Sequence, residues 1–360
     1  MINNSFFSTE IIHWFRENGR DLPWRETTDP YAIWLSEIIL QQTRIAQGWE
    51  YWERFMKTYP KVEDLAAASE DDVLKLWQGL GYYSRARNLH AAARQIVELG
   101  HFPDTLEGIK ALKGVGDYTA AAIGSFAFDI PAAVVDGNVY RVLSRYFGID
   151  TPINSTQGKK EFAALAQSLL PASSAQQLSD TALSPVAAYN QGMMDFGAIQ
   201  CTPQSPKCLV CPLAETCEAL RTGRVEELPV KNKTLKVKTR HLSYIYIRCR
   251  SAVADGSEIP EPMIAIHRRG EGDIWQGLWE PYNISDVKEL PSFVKNPILL
   301  AKDVKHVLTH RILLADFYLL ETDCRPQLPD DYIWIKESEI EDYGVPRLVE
   351  IMLEKINPAE

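Results

Sequence analysis

Four cysteines that lie close together in the sequence are the clearest group of potential metal ligands. Cys201, Cys208, Cys211 and Cys217 follow the pattern C-x6-C-x2-C-x5-C, and the other two cysteines lie far from them. Thiolates at such short spacing can converge on one centre, and soft sulfur ligands suit zinc or an iron–sulfur cluster. Structural zinc usually takes two C-x2-C pairs, and only Cys208 and Cys211 form one. The spacing therefore favours an iron–sulfur cluster, with zinc as the alternative.

Glu37 is the first candidate for acid–base chemistry. It lies in the middle of a predicted helix, where apolar and aromatic residues at helical spacing flank it. Such surroundings raise the pKa of a carboxyl group, as a general acid requires. The alternative is a glutamate that borders the core and pairs with Arg44 or another base. The flanking residues are Ile33, Trp34, Leu40 and Gln41.

A glycine hairpin and a later aspartate form the second candidate site. The sequence KGVG contains Lys113, Gly114 and Gly116, and it precedes a helical run near Tyr118. Its outward N–H groups and the helix N-terminus can bind a DNA phosphate without reading a base, although an ordinary helix–helix turn has the same residues. Asp136 follows Gly116 by 20 residues. It can cap the next helix, deliver a carboxylate to the site, or do both.

A third motif, GLGYYSRARN at residues 79–88, combines flexible glycines with aromatic and basic side chains. Tyr82 and Tyr83 could stack on bases or wedge between them while Arg85 and Arg87 hold phosphates. The alternative is a pair of buried tyrosines beside surface arginines.

The overall charge argues against a nucleic acid as the partner. The 360 residues carry a formal net charge of -10, whereas DNA-binding proteins usually have a basic excess. Residues 73–97 nevertheless contain four Lys or Arg side chains and no acid, so local basic surfaces remain possible. No signal peptide is visible and no apolar run reaches the length of a membrane span, which predicts a cytoplasmic protein.

The hydrophobic pattern predicts a multidomain protein with a boundary near residue 222. Residues 1–222 have the apolar spacing of an all-α domain, with the hairpin at about 105–130 and the cysteine loop at 201–217. Residues 223–240 are predicted to form a basic linker. Residues 241–360 are predicted to form a smaller α+β domain. Its strands are expected at 242–248, 263–267, 315–320 and 332–335, and its final helix at 346–356.

Taken together, these motifs resemble the endonuclease III-like superfamily of base-excision DNA glycosylases, with its helix-hairpin-helix and [4Fe-4S] cluster. Three segments resemble the adenine DNA glycosylase branch in particular: WLSEIILQQTR at 34–44, GLGYYSRARNLH at 79–90 and VDGNV at 135–139. The resemblance covers nearly the whole chain. It implies a bacterial, nucleoid-associated monomer that removes adenine opposite 8-oxoguanine or guanine from double-stranded DNA.

The resemblance also implies roles for individual residues. Glu37 would protonate adenine and then activate water, while Asp136 would stabilise the oxocarbenium ion with help from Tyr118 and Asn138. Bifunctional members of the superfamily have a nucleophilic lysine at the position of Tyr118, so a monofunctional glycosylase is expected. Further residues are expected to contact the DNA. These are Trp24, Arg25, Leu40 and Gln191 at the adenine, and Gln42, Tyr82, Lys113, Gly114 and Gly116 elsewhere on the duplex.

The C-terminal part resembles the Nudix-like domain of the same branch, which reads 8-oxoguanine through a Phe-Ser-His loop. Leu308, Thr309 and His310 match that loop, and Thr309 keeps the hydroxyl group. The glutamate-rich box of Nudix hydrolases is missing after Glu280, so the fold is expected without hydrolase activity. Two alternatives remain for the whole chain: a glycosylase/lyase acting on oxidised pyrimidines, and a non-enzymatic DNA-binding or metal-scaffold protein.

Overall fold

The computed structural model describes residues 4–172, 183–232, 237–250, 261–285, 287 and 289–357. Its contacts divide the chain into two compact units. The first consists of Met1–Ala66 with Ala91–Lys233, and the second of Ala67–His90 with Thr234–Glu360. Within the described ranges, no helix has both the length and the apolar character that a membrane crossing demands.

Residues 4–172 and 183–222 form helices joined by turns and loops. Five of the helices begin at a side chain that accepts a backbone N–H of the first turn, which fixes where those helices start. The capping residues are Asp29, Ser69, Thr105, Asp136 and Ser155. In chain order the helices are α1 (Asn4–Asn18), α2 (Pro30–Ile39), α3 (Ile45–Thr58), α4 (Val62–Ala67), α5 (Glu70–Trp77), α6 (Ser84–Leu99), α7 (Leu106–Ala111), α8 (Asp117–Ala127), α9 (Gly137–Phe147), α10 (Thr156–Ser168), α11 (Pro185–Asp195) and α12 (Glu218–Arg221).

The core of the first unit surrounds two of these helices. Every residue of α2 from Tyr31 to Ile39 is buried, so this helix lies inside the unit rather than on its surface. A hydrophobic cluster joins α1, α9, α10 and α11 through Phe7, Val142, Phe162 and Tyr189, none of which is more than 2% exposed. Helices α2 and α9 are therefore held rigidly, and they carry the two carboxylates that the sequence analysis selected.

The second unit is built around a seven-stranded sheet. The strand order is β3-β2-β1-β6-β5, with β4 also paired to β1 and β7 to β2, and only the β1–β6 pair is parallel. A C-terminal helix, α13 (Arg347–Ile356), packs its buried face against β5 and β6. The strands are β1 (Lys238–Cys249), β2 (Met263–Arg268), β3 (Trp279–Glu280), β4 (Tyr282–Asn283), β5 (Ile298–Leu308), β6 (Arg311–Thr322) and β7 (Tyr332–Lys336).

The second unit also takes up a segment from the helical part of the chain. Helix α5 and the start of α6 fall within it, because Glu70 pairs with Arg268 at 2.8 Å and Arg87 donates to the Gln276 carbonyl at 2.5 Å. The compact units therefore differ from a simple division near residue 222. Contacts between residues about 190 positions apart cannot be read from local periodicity.

The four predicted strands and the final helix are present, but three strands were not predicted: the two-residue strands β3 and β4 and the long edge strand β5. For β5 there is a physical reason. This edge strand has irregular pairing with β6 between Leu299 and Val304, and Asp303 has a positive φ of 52°. These bulges, together with charged residues in the middle of the strand, break the alternation that normally identifies a strand. The structure thus contains a strand at Ile298–Leu308 where none was predicted.

The segment predicted as a basic linker, 223–240, is shorter in the structure. Strand β1 already begins at Lys238, and Arg240 pairs with Asp273 at 2.7 Å. On the other side, Leu228 is 2% exposed and packs within the first unit. Part of the predicted linker, 233–236, lies outside the described residues.

Two glycines of the first unit test how closely Glu218 packs against the end of α9. Gly148 and Gly223 both have positive φ, 70° and 72°, but a Cβ on Gly148 would lie 2.5 Å from Cγ of Glu218, whereas one on Gly223 would meet nothing within 4 Å. Gly223→Ala should cost about 1–2 kcal/mol of folding free energy through backbone strain. Gly148→Ala should cost about 1–3 kcal/mol more, because Glu218 must move. Thermal unfolding of the two variants measures the difference, and equal midpoints would contradict the close approach.

Candidate active site and cysteine site

A cavity of about 320 Å³ in the first unit is lined by all the residues that were predicted to take part in catalysis or to contact the adenine. Both Glu37 and Asp136 lie on its wall. Trp34 does not line it: this side chain is fully buried and packs on Phe102, with ring centroids 5.9 Å apart. The predicted residues that do line the cavity are Trp24, Arg25, Ile33, Glu37, Leu40, Gln41, Gln42, Tyr118, Asp136, Asn138 and Gln191.

Glu37 projects into this cavity from α2, although the residue is only 6% exposed. Its Oε2 accepts a hydrogen bond of 2.8 Å from the Tyr118 hydroxyl, so its partner is Tyr118 rather than Arg44. Burial raises the pKa of Glu37 to about 7, while the Tyr118 hydrogen bond and the charge of Arg25 oppose the shift. A carboxyl group in this state can act as a proton donor near neutral pH.

Asp136 reaches the same cavity from the N-terminus of α9, where it also caps the helix. Its Oδ1 accepts from the backbone N–H groups of Asn138 and Val139, both at 2.8 Å, and the Asn138 amide donates to Oδ2 at 2.7 Å. Burial raises the pKa of Asp136, but these three hydrogen bonds and Arg141 favour the ionised form. The capping role and the functional role of Asp136 are therefore compatible.

Asp195 is a buried acid that the sequence analysis missed. It is fully buried at the end of α11 and holds Arg25 through two hydrogen bonds of 2.8 Å, while Arg20 also pairs with it. Although burial alone would raise the pKa of Asp195, the hydrogen bonds from Arg25 and Arg20 lower it to about 2. Asp195 thus fixes Arg25 at the cavity wall. A lone acid in an otherwise uncharged helix, Pro185–Asp195, was the available signal.

The remaining cavity residues supply flat and polar surfaces. Trp24 is 6% exposed and packs edge-on against Trp49 and Trp52, with centroids 5.9 and 5.6 Å away. The buried Oε1 of Gln191 has no hydrogen-bond partner in the described part of the chain. An unpartnered buried acceptor in a cavity wall can bind a donor on a ligand. Leu40 and Gln41 lie just beyond the end of α2.

The hairpin between α7 and α8 has fewer backbone N–H groups available to an anion than its sequence suggests. The backbone N–H of Lys113 donates to Oε1 of Gln95 at 2.7 Å, and that of Val115 donates to the Leu112 carbonyl at 3.1 Å. A Cβ on Gly116 would meet nothing within 4 Å, so its backbone is open to approach. Gly114 has φ 78°, which favours glycine.

Tyr82 and Thr309 meet in the second unit, where their hydroxyl groups are hydrogen-bonded to each other. Tyr82 is 45% exposed and has a positive φ of 47°. Its neighbours in the loop are buried rather than directed toward a ligand. Tyr83 is buried, and Arg85 is 9% exposed and donates to the Leu80 and Gly81 carbonyls of the same loop. The structure does not support Arg85 and Arg87 as free phosphate ligands. Gln42, in the first unit, is exposed and also has a positive φ of 58°.

Thr309 and His310 form the turn between β5 and β6, and both are exposed. Glu280, the remnant of the Nudix motif, is 2% exposed and accepts hydrogen bonds from Arg269 at 2.5 Å and Asn283 at 3.0 Å. Its carboxylate is thus occupied within the protein.

The four cysteines line one small cavity of about 30 Å³, beside Tyr146 and Phe196. In residues 4–172 and the other described ranges, no three His, Cys, Asp or Glu side chains converge closely enough for a single metal ion. Four thiols around one shared cavity are a donor set that fits an iron–sulfur cluster.

Two buried arginines tie the cysteine loop to the helical core. Arg145 donates to the carbonyls of Thr202, Pro203 and Leu228 at 2.7 to 3.0 Å. Arg141 donates to the Cys201 carbonyl and to Oδ1 of Asn138, both at 2.8 Å. The loop that contains the cysteines is therefore joined to the helix that carries Asp136.

Comparisons with known proteins agree with this geometry. Residues 35–171 match the HhH-GPD superfamily of base excision DNA repair proteins. A solved thermostable thymine-DNA glycosylase shares 32% sequence identity with a TM-score of 0.54, covering 61% of this chain and 97% of that one. The chain belongs to the HhH-GPD superfamily. Residues 201–217 match the iron-sulfur binding domain of endonuclease III and residues 260–355 match the NUDIX domain. The predicted fold class and the iron–sulfur cofactor are thus confirmed.

Curated relatives of this superfamily member carry the name adenine DNA glycosylase. The mouse protein is 42% identical over 62% of this chain, and a protein of Buchnera aphidicola from Acyrthosiphon pisum is 38% identical over 64%. The chain spans only 44% and 65% of the lengths of these two relatives. A protein of Buchnera aphidicola from Schizaphis graminum is 29% identical over 97% of this chain and 98% of its own length. A trapped endonuclease III–DNA covalent intermediate shares the fold, with 21% identity and a TM-score of 0.51.

The cysteine assignment predicts a spectroscopic result. The purified protein should absorb broadly near about 400 nm, as thiolate-bound iron–sulfur clusters do. Cys208→Ser should reduce this band and the iron content, because it removes one of the four ligands. Cys324→Ser is the matched control, since Cys324 is exposed and lies in the second unit, outside the cysteine cavity. A colourless protein with stoichiometric zinc would contradict the cluster.

Proposed function

We propose that this chain is a monofunctional adenine DNA glycosylase that hydrolyses the N-glycosidic bond of adenine opposite 8-oxoguanine or guanine. The observation that carries the proposal is the pairing of Glu37 and Asp136 in one cavity. Glu37 has a pKa near 7, whereas Asp136 receives three hydrogen bonds that favour its ionised form. One neutral and one ionised carboxyl group are the requirement for glycosidic bond hydrolysis.

The size and lining of the cavity support an extruded base as the ligand. A base inside duplex DNA is out of reach of such a cavity, so the nucleotide must first flip out of the helix. The aromatic face of Trp24 and the side chain of Leu40 offer apolar contact, and Arg25 and Gln191 offer hydrogen bonds to the base edge. The 8-oxoguanine opposite the adenine is proposed to contact four exposed residues, Gln42, Tyr82, Thr309 and His310.

The chemical step follows from the two carboxyl groups. Adenine is a poor leaving group as an anion, so Glu37 donates its proton to N7 while the C1′–N9 bond breaks. Asp136 stabilises the positive charge that develops at C1′. The resulting Glu37 carboxylate then takes a proton from the attacking water, which leaves an abasic site and free adenine.

Tyr118 supports hydrolysis without strand cleavage. Its hydroxyl is bonded to Glu37 in the cavity, where a bifunctional enzyme would need a nucleophilic amine. Burial and the nearby carboxylates raise the pKa of Tyr118 well above its usual value, so it stays protonated and donates to Glu37. The hairpin is proposed to hold the DNA backbone, and the iron–sulfur cluster to order the loop at 201–217.

Base release tests the proposal directly. The wild-type protein should release free adenine from A·8-oxoguanine and A·G duplexes and nothing from T·G or oxidised-pyrimidine duplexes. Glu37→Gln should slow release by at least about a hundredfold, because general acid catalysis contributes that much or more. Its affinity for the duplex should stay unchanged. Glu50→Gln, an exposed glutamate on α3, is the control. Appreciable turnover by Glu37→Gln would exclude the assignment.

The raised pKa of Glu37 predicts a pH dependence. The acid form is needed, so kcat/KM should fall as the pH rises through about 7. Tyr118→Phe removes a hydrogen bond that lowers this pKa, so the alkaline limb should move to higher pH. Tyr140→Phe serves as the control, because Tyr140 packs on Phe162 away from the cavity. A limb that stays in place or moves to lower pH in Tyr118→Phe would contradict the assignment of the general acid.

A further inference from the structure

The segment that leads from α8 to Asp136 is held by side-chain amides instead of a neighbouring strand. Residues 131–136 form neither helix nor strand. The Gln167 amide donates to the Pro131 carbonyl at 2.7 Å and accepts from the Ala133 N–H at 3.0 Å. The Asn190 amide donates to the Ala132 carbonyl at 2.9 Å and accepts from the Val134 N–H at 3.2 Å.

The two amides serve alternate peptide groups, as two flanking strands would along an extended chain. They differ in their surroundings, however. Gln167 lies on α10 and its hydrogen bonds are exposed, so water can replace them. Asn190 lies on α11 and is 1% exposed, so the backbone groups it satisfies would otherwise be buried without partners. An unsatisfied buried group costs about 1–3 kcal/mol. Asn190 is therefore the stronger of the two constraints.

The constraint acts two residues before Asp136. Asp136 keeps its place only if the chain enters α9 at an angle that brings its carboxylate onto the N–H groups of Asn138 and Val139 and into the cavity. Val134 is 2% exposed and bonded to Asn190, so this amide fixes the last buried peptide group before the helix. Asn190 itself does not line the cavity.

We propose that Asn190 is a positioning residue for the reaction: it holds the backbone of residues 132–134 and thereby places the Asp136 carboxylate in the cavity. Asn190 touches neither the substrate nor the reacting atoms. It follows Tyr189 of the hydrophobic cluster and precedes Gln191 of the cavity wall, so α11 transmits the rigidity of the core to the carboxylate. This inference rests on the proposed function.

The test compares Asn190→Ala with Ser125→Ala in the cluster-containing protein. Ser125 is fully buried and accepts the second Asn190 N–H at 3.0 Å, while its own hydroxyl donates to the Ala122 carbonyl within α8. Asn190→Ala should slow single-turnover adenine release by about a hundredfold, the penalty of a displaced catalytic group. Its affinity for the lesion duplex should change less than about threefold, because no DNA contact is lost. Ser125→Ala should leave both values near wild type.

Amide hydrogen exchange provides a readout that does not depend on activity. In Asn190→Ala, peptides that cover residues 132–139 should exchange faster, while peptides from α1 and α10 should not change. Gln167→Ala removes the exposed hydrogen bonds to the same segment, so it should show the same exchange pattern more weakly and a loss of rate of only a few-fold. If Asn190→Ala does not fold, Gln167→Ala takes its place in the test.

The outcomes separate the two proposals. If the wild-type protein releases no adenine, the proposed function fails, whatever the variants do. If the wild-type protein is active and Asn190→Ala is equally fast, or if its rate and affinity fall together with its thermal midpoint, Asn190 has only a structural role and the inference is overturned. Faster exchange without a loss of rate also overturns it.

Discussion

Two carboxyl groups, those of Glu37 and Asp136, are buried in the wall of one cavity in the first unit. The free-energy cost of burying them determines which donors and charges must lie around that cavity. An uncompensated buried carboxylate costs several kcal/mol, so each group must be neutral or surrounded by donors. Glu37 has one donor, the Tyr118 hydroxyl, and its pKa rises to about 7. Asp136 has three donors from the first turn of α9. Burial raises the pKa of both groups, and the three hydrogen bonds to Asp136 oppose this rise more strongly than the single one to Glu37. Under the proposed function, Glu37 therefore carries the proton and Asp136 the negative charge.

This division needs a rigid frame, and buried polar groups supply much of it. Asp195 holds Arg25 at the cavity wall, and Arg141 joins Asn138 to the carbonyl of Cys201. A buried guanidinium must satisfy its donors in fixed directions, so each one defines the positions of several backbone segments. The cysteine loop and the helix that begins at Asp136 are therefore connected through the hydrogen bonds of Arg141.

Sequence patterns were sufficient where a property depends on local spacing. The cysteines, the helix around Glu37 and the cap at Asp136 were predicted because ligand spacing, helical periodicity and capping preference are encoded within a few residues. The partner of Glu37 was not, since Tyr118 lies 81 positions away and Arg44 was the nearer candidate. Asp195 and Asn190 were missed for the same reason. Their roles depend on contacts made across 170 and 56 positions, which no local pattern records.

The charge pattern of the sequence, by contrast, suggested a basic surface that the structure does not show. Residues 73–97 have four basic side chains and no acid, which suggested a surface for phosphates. In the structure each of these side chains donates to a protein carbonyl: Lys75 to Tyr343, Arg85 to Leu80, Arg87 to Gln276 and Arg94 to Ala66. Backbone carbonyl oxygens, rather than carboxylates, accept the hydrogen bonds of these basic side chains. Because carbonyl groups carry no net charge, the number of charged residues in the sequence does not reveal such contacts. Phosphate binding under the proposed function therefore depends more on directed N–H groups, such as those of the hairpin at Gly114 and Gly116, than on the number of basic residues.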